Sequence, residues 1–302
     1  MKAARIHRFG PPEVVVIDDV PVPSPGPGEV LVRVAAAGVA PWDALIREGK
    51  SKVSPQPPLT LGSDLSGVVA AVGSEVTGFA TGDEVYGVTN PQFCGAQAEY
   101  AIAAAGMIAP KPRSLSHVEA ASAPVVAVTA WQMLFEYAQA TRHNIVLIIG
   151  AAGNVGAYAV QMSVDASMQV IALARAQEEK MLRALGVESI IDSNSPDFEK
   201  NLPQVDAILD TVGGSTLERC VAALKPGGKL VTTVSTQPLP SQAIFFYAEV
   251  TTARLRTLTT LIESGRISPR VGSVLPLSEA RQAQEMLAGA AHLPGKIVLQ
   301  VI

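Results

Sequence analysis

From about residue 145 onward, short apolar runs alternate with stretches whose apolar positions recur at helical spacing. Val146–Ile149 is wholly apolar and β-branched at three of its four positions, which predicts a buried strand. From Asn154 the period changes. Val155, Ala159 and Met162 share one face with Val160 beside it, which predicts a helix over 154–165. The alternation continues with a strand in "MQVIALAR", a helix through "EEKMLRALG", and strand candidates in "SIID", "VDAILDTV", "GGKLVTTV" and "AIFF". Apolar strands alternating with helices imply a parallel sheet covered on both faces, here over roughly 120–265.

The N-terminal part has another texture. Ten of the 22 prolines fall in the first sixty residues, a density that excludes long helices and favours short strands joined by turns. Val30–Val34 and Ser66–Val72 read as strands, and "VGSEVTGFATGDEVYG" reads as strand, turn, strand. At Ser116 the texture shifts again. Ser116 followed by Glu119 is a capping-box pattern, leading into helices interrupted at Pro124. The terminal "GKIVLQVI" is a further strand-like run.

Between the strand at 146–149 and the helix at 154 sit Gly150, Gly153 and Gly156. A strand, a glycine turn and a helix N-terminus make an anion site, because unpaired amides point outward and the helix dipole favours negative charge. Ala151, Gly153 and Gly156 occupy the three fingerprint positions of a dinucleotide-binding turn, with Asn154 and Val155 between the last two. The next strand ends at Ala174, 18 residues after Gly156 and near the expected spacing of about 20. A carboxylate there would bind the ribose of NAD. This chain offers Arg175 instead, with Lys180 five residues on, and a guanidinium suits a 2′-phosphate. The turn is therefore read as the pyrophosphate site of a nicotinamide dinucleotide, NADPH. A plain surface charge is the alternative for Arg175.

Bulk properties narrow the rest. The chain has 302 residues, 48% hydrophobic and 17% charged, with formal net charge −4, so there is no basic footprint for nucleic acid or an anionic membrane. No apolar run of about 18 residues predicts a membrane span, and "MKAARIHRF" has no signal-peptide core. A cytoplasmic setting is expected. Cys94 and Cys220 are too few for a disulfide framework, and His7, His117, His143 and His292 show no metal spacing.

With these motifs in order the chain resembles the zinc-independent quinone oxidoreductase group of the medium-chain dehydrogenase/reductase superfamily. The resemblance rests on "GPPEVVVIDDVPVPSPGPGEVLVRVAAAGVAPWD", "PPLTLGSDLSGVVAAVGSEVTGFATGDEVYG", "GAQAEYAIAAAGMIAPKP", "PVVAVTAWQML", "VLIIGAAGNVG", "AALKPGGKLV" and "GKIVLQV". It implies an α/β protein with a GroES-like β-domain (1–117 and 269–302), a doubly wound Rossmann domain (118–268), and an active-site cleft between them. It also implies a contact to the nicotinamide carboxamide from Thr129, with a helix-internal structural threonine as the alternative. Asp210–Gly213 ("DTVG") and Ser235 fall after later strands, at the carboxyl edge where such sheets bind ligands, so Thr211, Val212, Gly213 and Ser235 are expected to contact the nicotinamide half.

Zinc-dependent members carry a cysteine where this chain has Ala40 and a histidine where it has Ser63, and they add a four-cysteine lobe that is missing here. The implied chemistry is hydride transfer from NADPH to a quinone or an α,β-unsaturated carbonyl without zinc. Quinone oxidoreductases commonly have asparagine at position 40, ahead of Pro41 and Asp43. The tyrosine that enoyl-thioester reductases place after the equivalent of "IREGK" is replaced by Lys50, Ser51 and Lys52. Ala40, Trp42, Asp43 and Phe93 form the expected substrate pocket. Trp42 is either a stacking platform for a flat acceptor or a buried core tryptophan. Tyr86 reads as a strand tyrosine rather than a proton donor, and no residue is assigned the role of general acid. A homodimer is expected from the apolar edge run Ser241–Phe246. The alternatives are a non-catalytic NADPH-binding redox sensor and an enoyl or alkenal reductase.

Overall fold

The computed structural model describes residues 1–235 and 238–302. Contacts divide the chain into two units. The first comprises Met1–Val125, Val250–Ser264 and Pro269–Ile302; the second comprises Val126–Glu249 and Gly265–Ser268.

The first unit is organised by the strand Glu29–Val39, longer than the Val30–Val34 run its periodicity predicts. The extension "AAAGV" survives because its small residues permit close approach. A Cβ on Gly38 would lie 2.7 Å from the Ala121 carbonyl oxygen and 2.8 Å from the Asp64 Cβ. Glu29–Val39 pairs antiparallel with Asp64–Val72, Tyr100–Ala104 and the terminal strand Lys296–Gln300. Its sheet runs Val271–Pro276, Lys296–Gln300, Glu29–Val39, Asp64–Val72, Glu84–Val88, Ile108–Pro110. A smaller sheet joins Val15–Asp19, Lys2–Ile6 and Leu59–Thr60. The capping box at Ser116 is present. Ser116 Oγ accepts from the Glu119 amide at 3.3 Å, and Glu119 Oε2 accepts from the Ser116 amide at 2.8 Å. Pro124 opens the helix Pro124–Trp131, which continues as a π-helical turn over Gln132–Tyr137.

The division at 118 and 268 read from the sequence differs from these units. Residues 118–125 and 250–264 lie with the first unit. The cause is visible in the helix Thr252–Glu263. Thr252 Oγ1 donates to the carbonyl oxygens of Ala105 (3.1 Å) and Ile108 (2.7 Å). Tyr86, fully buried, donates its hydroxyl to the Leu255 carbonyl at 2.7 Å. Bonds formed by one strand tyrosine and one helix threonine leave no periodicity signal.

The second unit is a six-stranded sheet with every adjacent pair parallel. Its order is Ser189–Asp192, Gln169–Ala174, Ile145–Ile149, Val205–Asp210, Leu224–Thr232, Ala243–Phe245. That is the doubly wound Rossmann order, with the first strand at the centre. One face of the sheet is buried through Leu147, Ile149, Leu173, Ile208 and Leu230, packed on Phe198, Leu217 and Cys220. The helix Asn154–Asp165 has the bounds its periodicity predicts. Among the described residues no helix is long and apolar enough to cross a membrane.

Candidate functional site

In the second unit the carboxyl ends of adjacent strands bring together most of the residues expected to hold a dinucleotide. Gly150 leaves the strand Ile145–Ile149 at φ 79°, and Gly153 caps the helix Asn154–Asp165 in extended geometry with no side-chain cap. The first-turn amides of that helix are therefore left for an incoming acceptor. The turn tolerates no side chains at its two tightest positions. A Cβ on Gly156 would lie 2.2 Å from the Gly150 carbonyl oxygen, and one on Gly150 would lie 2.4 Å from Thr211 Oγ1. Ala151 is fully buried, while Asn154 and Val155 are half-buried.

Asp210 organises the neighbouring loop, a role not foreseen from the sequence. Fully buried, it accepts through Oδ1 from the amides of Val212 (3.0 Å) and Gly213 (2.8 Å), and through Oδ2 from Thr232 Oγ1 at 2.6 Å. Thr211 Oγ1 donates to the Ile149 carbonyl at 2.9 Å, tying this loop to the base of the glycine turn. Val212 is left exposed beside the turn. A dinucleotide phosphate suits the adjoining turn, because the helix start is uncapped and the glycines leave room for its approach.

Ala174, buried, ends the next strand, and exposed Arg175 follows it as the cap of the one-turn helix Ala176–Glu178. Arg175 Nη2 donates to Glu178 Oε1 at 2.6 Å, so the guanidinium already has a partner. Lys180 is exposed on the helix Glu179–Ala184. Ser235 is exposed beyond the strand Leu224–Thr232, and Thr129 is buried within the helix Pro124–Trp131.

The expected substrate residues belong to the first unit. Ala40 is the cap of the short helix Pro41–Arg47, and Asp43 Oδ2 accepts from the Ala40 amide at 2.9 Å. Asp43 is buried and its Oδ1 has no hydrogen-bond partner. Burial pushes its carboxyl up to about 7, against the opposing pull of the Ala40 amide and the Lys296 ammonium; the Asp64 carboxylate adds to the rise. Trp42 is half-buried and donates Nε1 to Ser63 Oγ at 3.0 Å. Over its ring, 4.4 Å from the centroid, lies Lys296 Nζ. Lys296 in turn donates to Asp64 Oδ2 at 2.8 Å, a pair whose side chains are 2% and 1% exposed. Asp64 Oδ1 accepts from the Val125 amide at 3.0 Å. Phe93, at φ 57°, and Cys94 pack against the same apolar cluster as Trp42.

Lys296 and Asp64 were passed over in the sequence. Their signal was a charge at the head of an apolar strand in "GKIVLQV" and in "GSDLSGVV", since charges entering a core need partners. At the two positions where zinc-dependent relatives carry ligands, Ala40 has no donor atom and Ser63 is engaged by Trp42. Among the described residues no three of His, Cys, Asp or Glu converge to hold a metal.

A parallel doubly wound unit with a phosphate-ready turn and a mostly antiparallel β-unit define a two-domain nucleotide-dependent class, and comparison with known proteins agrees. Residues 26–113 match the family described as alcohol dehydrogenase GroES-like domain, and residues 185–299 match that described as zinc-binding dehydrogenase. The chain belongs to the medium-chain dehydrogenase/reductase superfamily and has quinone oxidoreductases among its relatives. The quinone oxidoreductase of Lama guanicoe is 30% identical over 322 residues, covering 99% of this chain and 97% of the relative. The 2-methylene-furan-3-one reductase of Solanum lycopersicum is 32% identical over 288 residues, covering 92% and 73%. Among solved structures, the quinone oxidoreductase from Coxiella burnetii superposes with TM-score 0.92 at 31% identity, covering 100% of this chain and 99% of that one. A mycobacterial protein complexed with NADPH superposes with TM-score 0.89 at 27% identity, covering 99% and 100%.

Two outcomes follow from the buried charges. Lys296→Met strands the Asp64 carboxylate without its counter-ion and is expected to cost about 3–5 kcal/mol, read by urea unfolding; a loss below about 1 kcal/mol would contradict the pairing. For Asp43, the folded carboxyl holds a proton up to about 7, whereas its ordinary value is 3.8. Between those values the folded state binds more protons than the unfolded chain, so this group lowers stability as pH rises through the window. Urea midpoints should therefore fall more steeply from pH 4.5 to pH 7 in the natural protein than in Asp43→Asn. Parallel profiles would show that the carboxyl titrates normally.

Proposed function

We propose that the protein is an NADPH-dependent reductase that passes hydride to a quinone or an α,β-unsaturated carbonyl without zinc. The observation that carries this reading is the glycine turn closed against Thr211, with Arg175 at the end of the next strand. The uncapped first-turn amides of the helix Asn154–Asp165 hold the pyrophosphate, with the helix directing its positive end toward it and the glycines of the turn leaving room. Arg175, helped by Lys180, meets the 2′-phosphate. The loop Thr211–Gly213, held by Asp210, orients the nicotinamide half, joined by Thr129 and Ser235. Bound NADPH supplies the hydride, and the protein supplies orientation and exclusion of water.

The acceptor class is argued from what remains free in the first unit. The polar atoms around Trp42 are mostly committed to one another: indole to Ser63, ammonium to Asp64, and one Asp43 oxygen to the Ala40 amide. The Trp42 ring and Phe93, both half-buried, are left as an aromatic surface suited to a flat acceptor, whereas Ala40 is buried. With no donor at Ala40, nothing there polarises an alcohol, so the acceptor must already be electrophilic. The relatives named as quinone oxidoreductase and 2-methylene-furan-3-one reductase support both acceptor types.

Purified protein is expected to consume NADPH, followed by its absorbance, with at least one acceptor in a panel of quinones and enals, and to keep that rate in chelator. Loss of activity in chelator with recovery on adding zinc would overturn the zinc-free mechanism. Tight NADPH binding without turnover on any acceptor would favour a redox sensor instead.

The protein is also proposed to be a homodimer. Ala243–Phe245 is an unpaired sheet edge, with Tyr247 71% exposed just beyond it. Light scattering at micromolar concentration should give twice the 31.4 kDa chain mass, and a monomer mass would overturn this reading.

A further inference from the structure

We propose that Glu178 sets the balance between NADPH and NADH by holding the Arg175 guanidinium beneath a neighbouring carboxylate. The inference rests on the reading of Arg175 as the contact to the 2′-phosphate. Glu178 is bound to Arg175 twice. Its Oε1 accepts from Nη2 at 2.6 Å, and its Oε2 accepts from the Arg175 backbone amide at 3.1 Å. One carboxylate thus fixes both the start of the turn Ala176–Glu178 and the direction of the side chain that leaves it. Glu178 is only 21% exposed in its side chain, whereas the guanidinium side chain is 59% exposed and so remains open to a ligand.

The consequence is electrostatic. Arg175 and Lys180 together would offer a 2′-phosphate two positive charges, but Glu178 cancels one of them at hydrogen-bond distance. Glu179 adds no comparable brake, because its carboxylate is engaged by Arg183 Nε at 3.0 Å. A phosphate binding bidentately to the guanidinium must share or displace the Nη2 bond and sit beside a like charge. A ribose 2′-hydroxyl meets neither cost. It can donate to the Glu178 carboxylate, as it donates to an acidic residue in NAD-binding proteins of the doubly wound fold. Glu178 therefore narrows the preference that Arg175 creates.

Glu178→Gln separates charge from structure. Glutamine serves as well as glutamate in returning an oxygen to the cap amide, so the turn is kept while the negative charge is lost. NADPH and NADH, which differ only in the 2′-phosphate, are titrated calorimetrically into the full chain, the Glu178→Gln variant and Arg175→Ala. Glu178→Gln should raise the NADPH-to-NADH affinity ratio roughly two- to fivefold, in the range expected for an exposed charge pair. The gain should shrink as salt is raised. Arg175→Ala should lower the ratio by about tenfold, as for a lost hydrogen bond to a charged group. An unchanged ratio in Glu178→Gln, with the ratio lowered in Arg175→Ala, overturns the proposal and leaves the phosphate contact standing. An unchanged ratio in Arg175→Ala overturns the phosphate contact itself. Equal losses of both cofactors in Glu178→Gln would reduce Glu178 to a structural cap.

Discussion

The first unit depends on an ion pair that neither partner could enter alone. Asp64 and Lys296 are 232 residues apart in the chain, and both are buried. An unpaired carboxylate or ammonium at that depth would cost several kcal/mol, so the strand Lys296–Gln300 and the strand Asp64–Val72 can be buried only together. Between them lies Glu29–Val39, paired with both. Gly38 of that strand leaves the gap through which the charges meet, with Lys296 Cε only 3.0 Å from where its Cβ would be. The terminal segment is thus a structural member of the N-terminal β-unit. The same ammonium lies over Trp42, so a stability device also fixes the orientation of that ring.

The second unit is built on the opposite principle. Its ligand-facing positions are defined by missing atoms. Gly150 and Gly156 are placed where a Cβ would overlap a carbonyl oxygen or a threonine hydroxyl, and the space they vacate lets backbone amides line the turn. Asp210 is the one buried carboxylate among the described residues of this unit, and its hydrogen bonds go to the amides of Val212 and Gly213 and to Thr232. The loop beside the turn is thereby held in one shape before any ligand arrives, which lowers the ordering cost of binding.

These two principles explain which parts were legible from the sequence. Strands and the helix over Asn154–Asp165 are set by local periodicity, and the glycine spacing reports a local backbone demand, so both could be read directly. The extension of Glu29–Val39 could not, because alanines and glycine there answer to the approach of Ala121 and Asp64 rather than to strand propensity. The helix Thr252–Glu263 falls with the first unit rather than within 118–268 for a similar reason. What holds it is Tyr86 and Thr252, whose partners are far away in sequence. The Lys296–Asp64 pair, the Glu178 clasp on Arg175 and the loop-shaping bonds of Asp210 are all relations between side chains and distant or turning backbone. Composition and spacing carry no trace of them beyond a charge standing next to an apolar run.

The difference in construction also bears on how freely each half can change. On the proposed reading, a phosphate turn made of backbone amides is indifferent to most side chains so long as the glycines remain, and specificity falls to exposed Arg175 and Lys180 and half-buried Glu178. Charges so placed are individually weak and screened by salt, so substitution there puts little of the fold at risk. The surroundings of Trp42 have no such freedom. Ser63, Asp64 and Lys296 are each bound to a neighbour, and removing any one leaves a buried donor or acceptor without its partner. Substitution is freer at apolar positions such as Ala40 and Phe93, whose side chains carry no hydrogen bonds. Alanine in place of the family's usual asparagine at position 40 is a change of that kind. It removes an amide side chain while leaving the Asp43 contact to the residue-40 backbone amide intact, because that contact needs only the main chain.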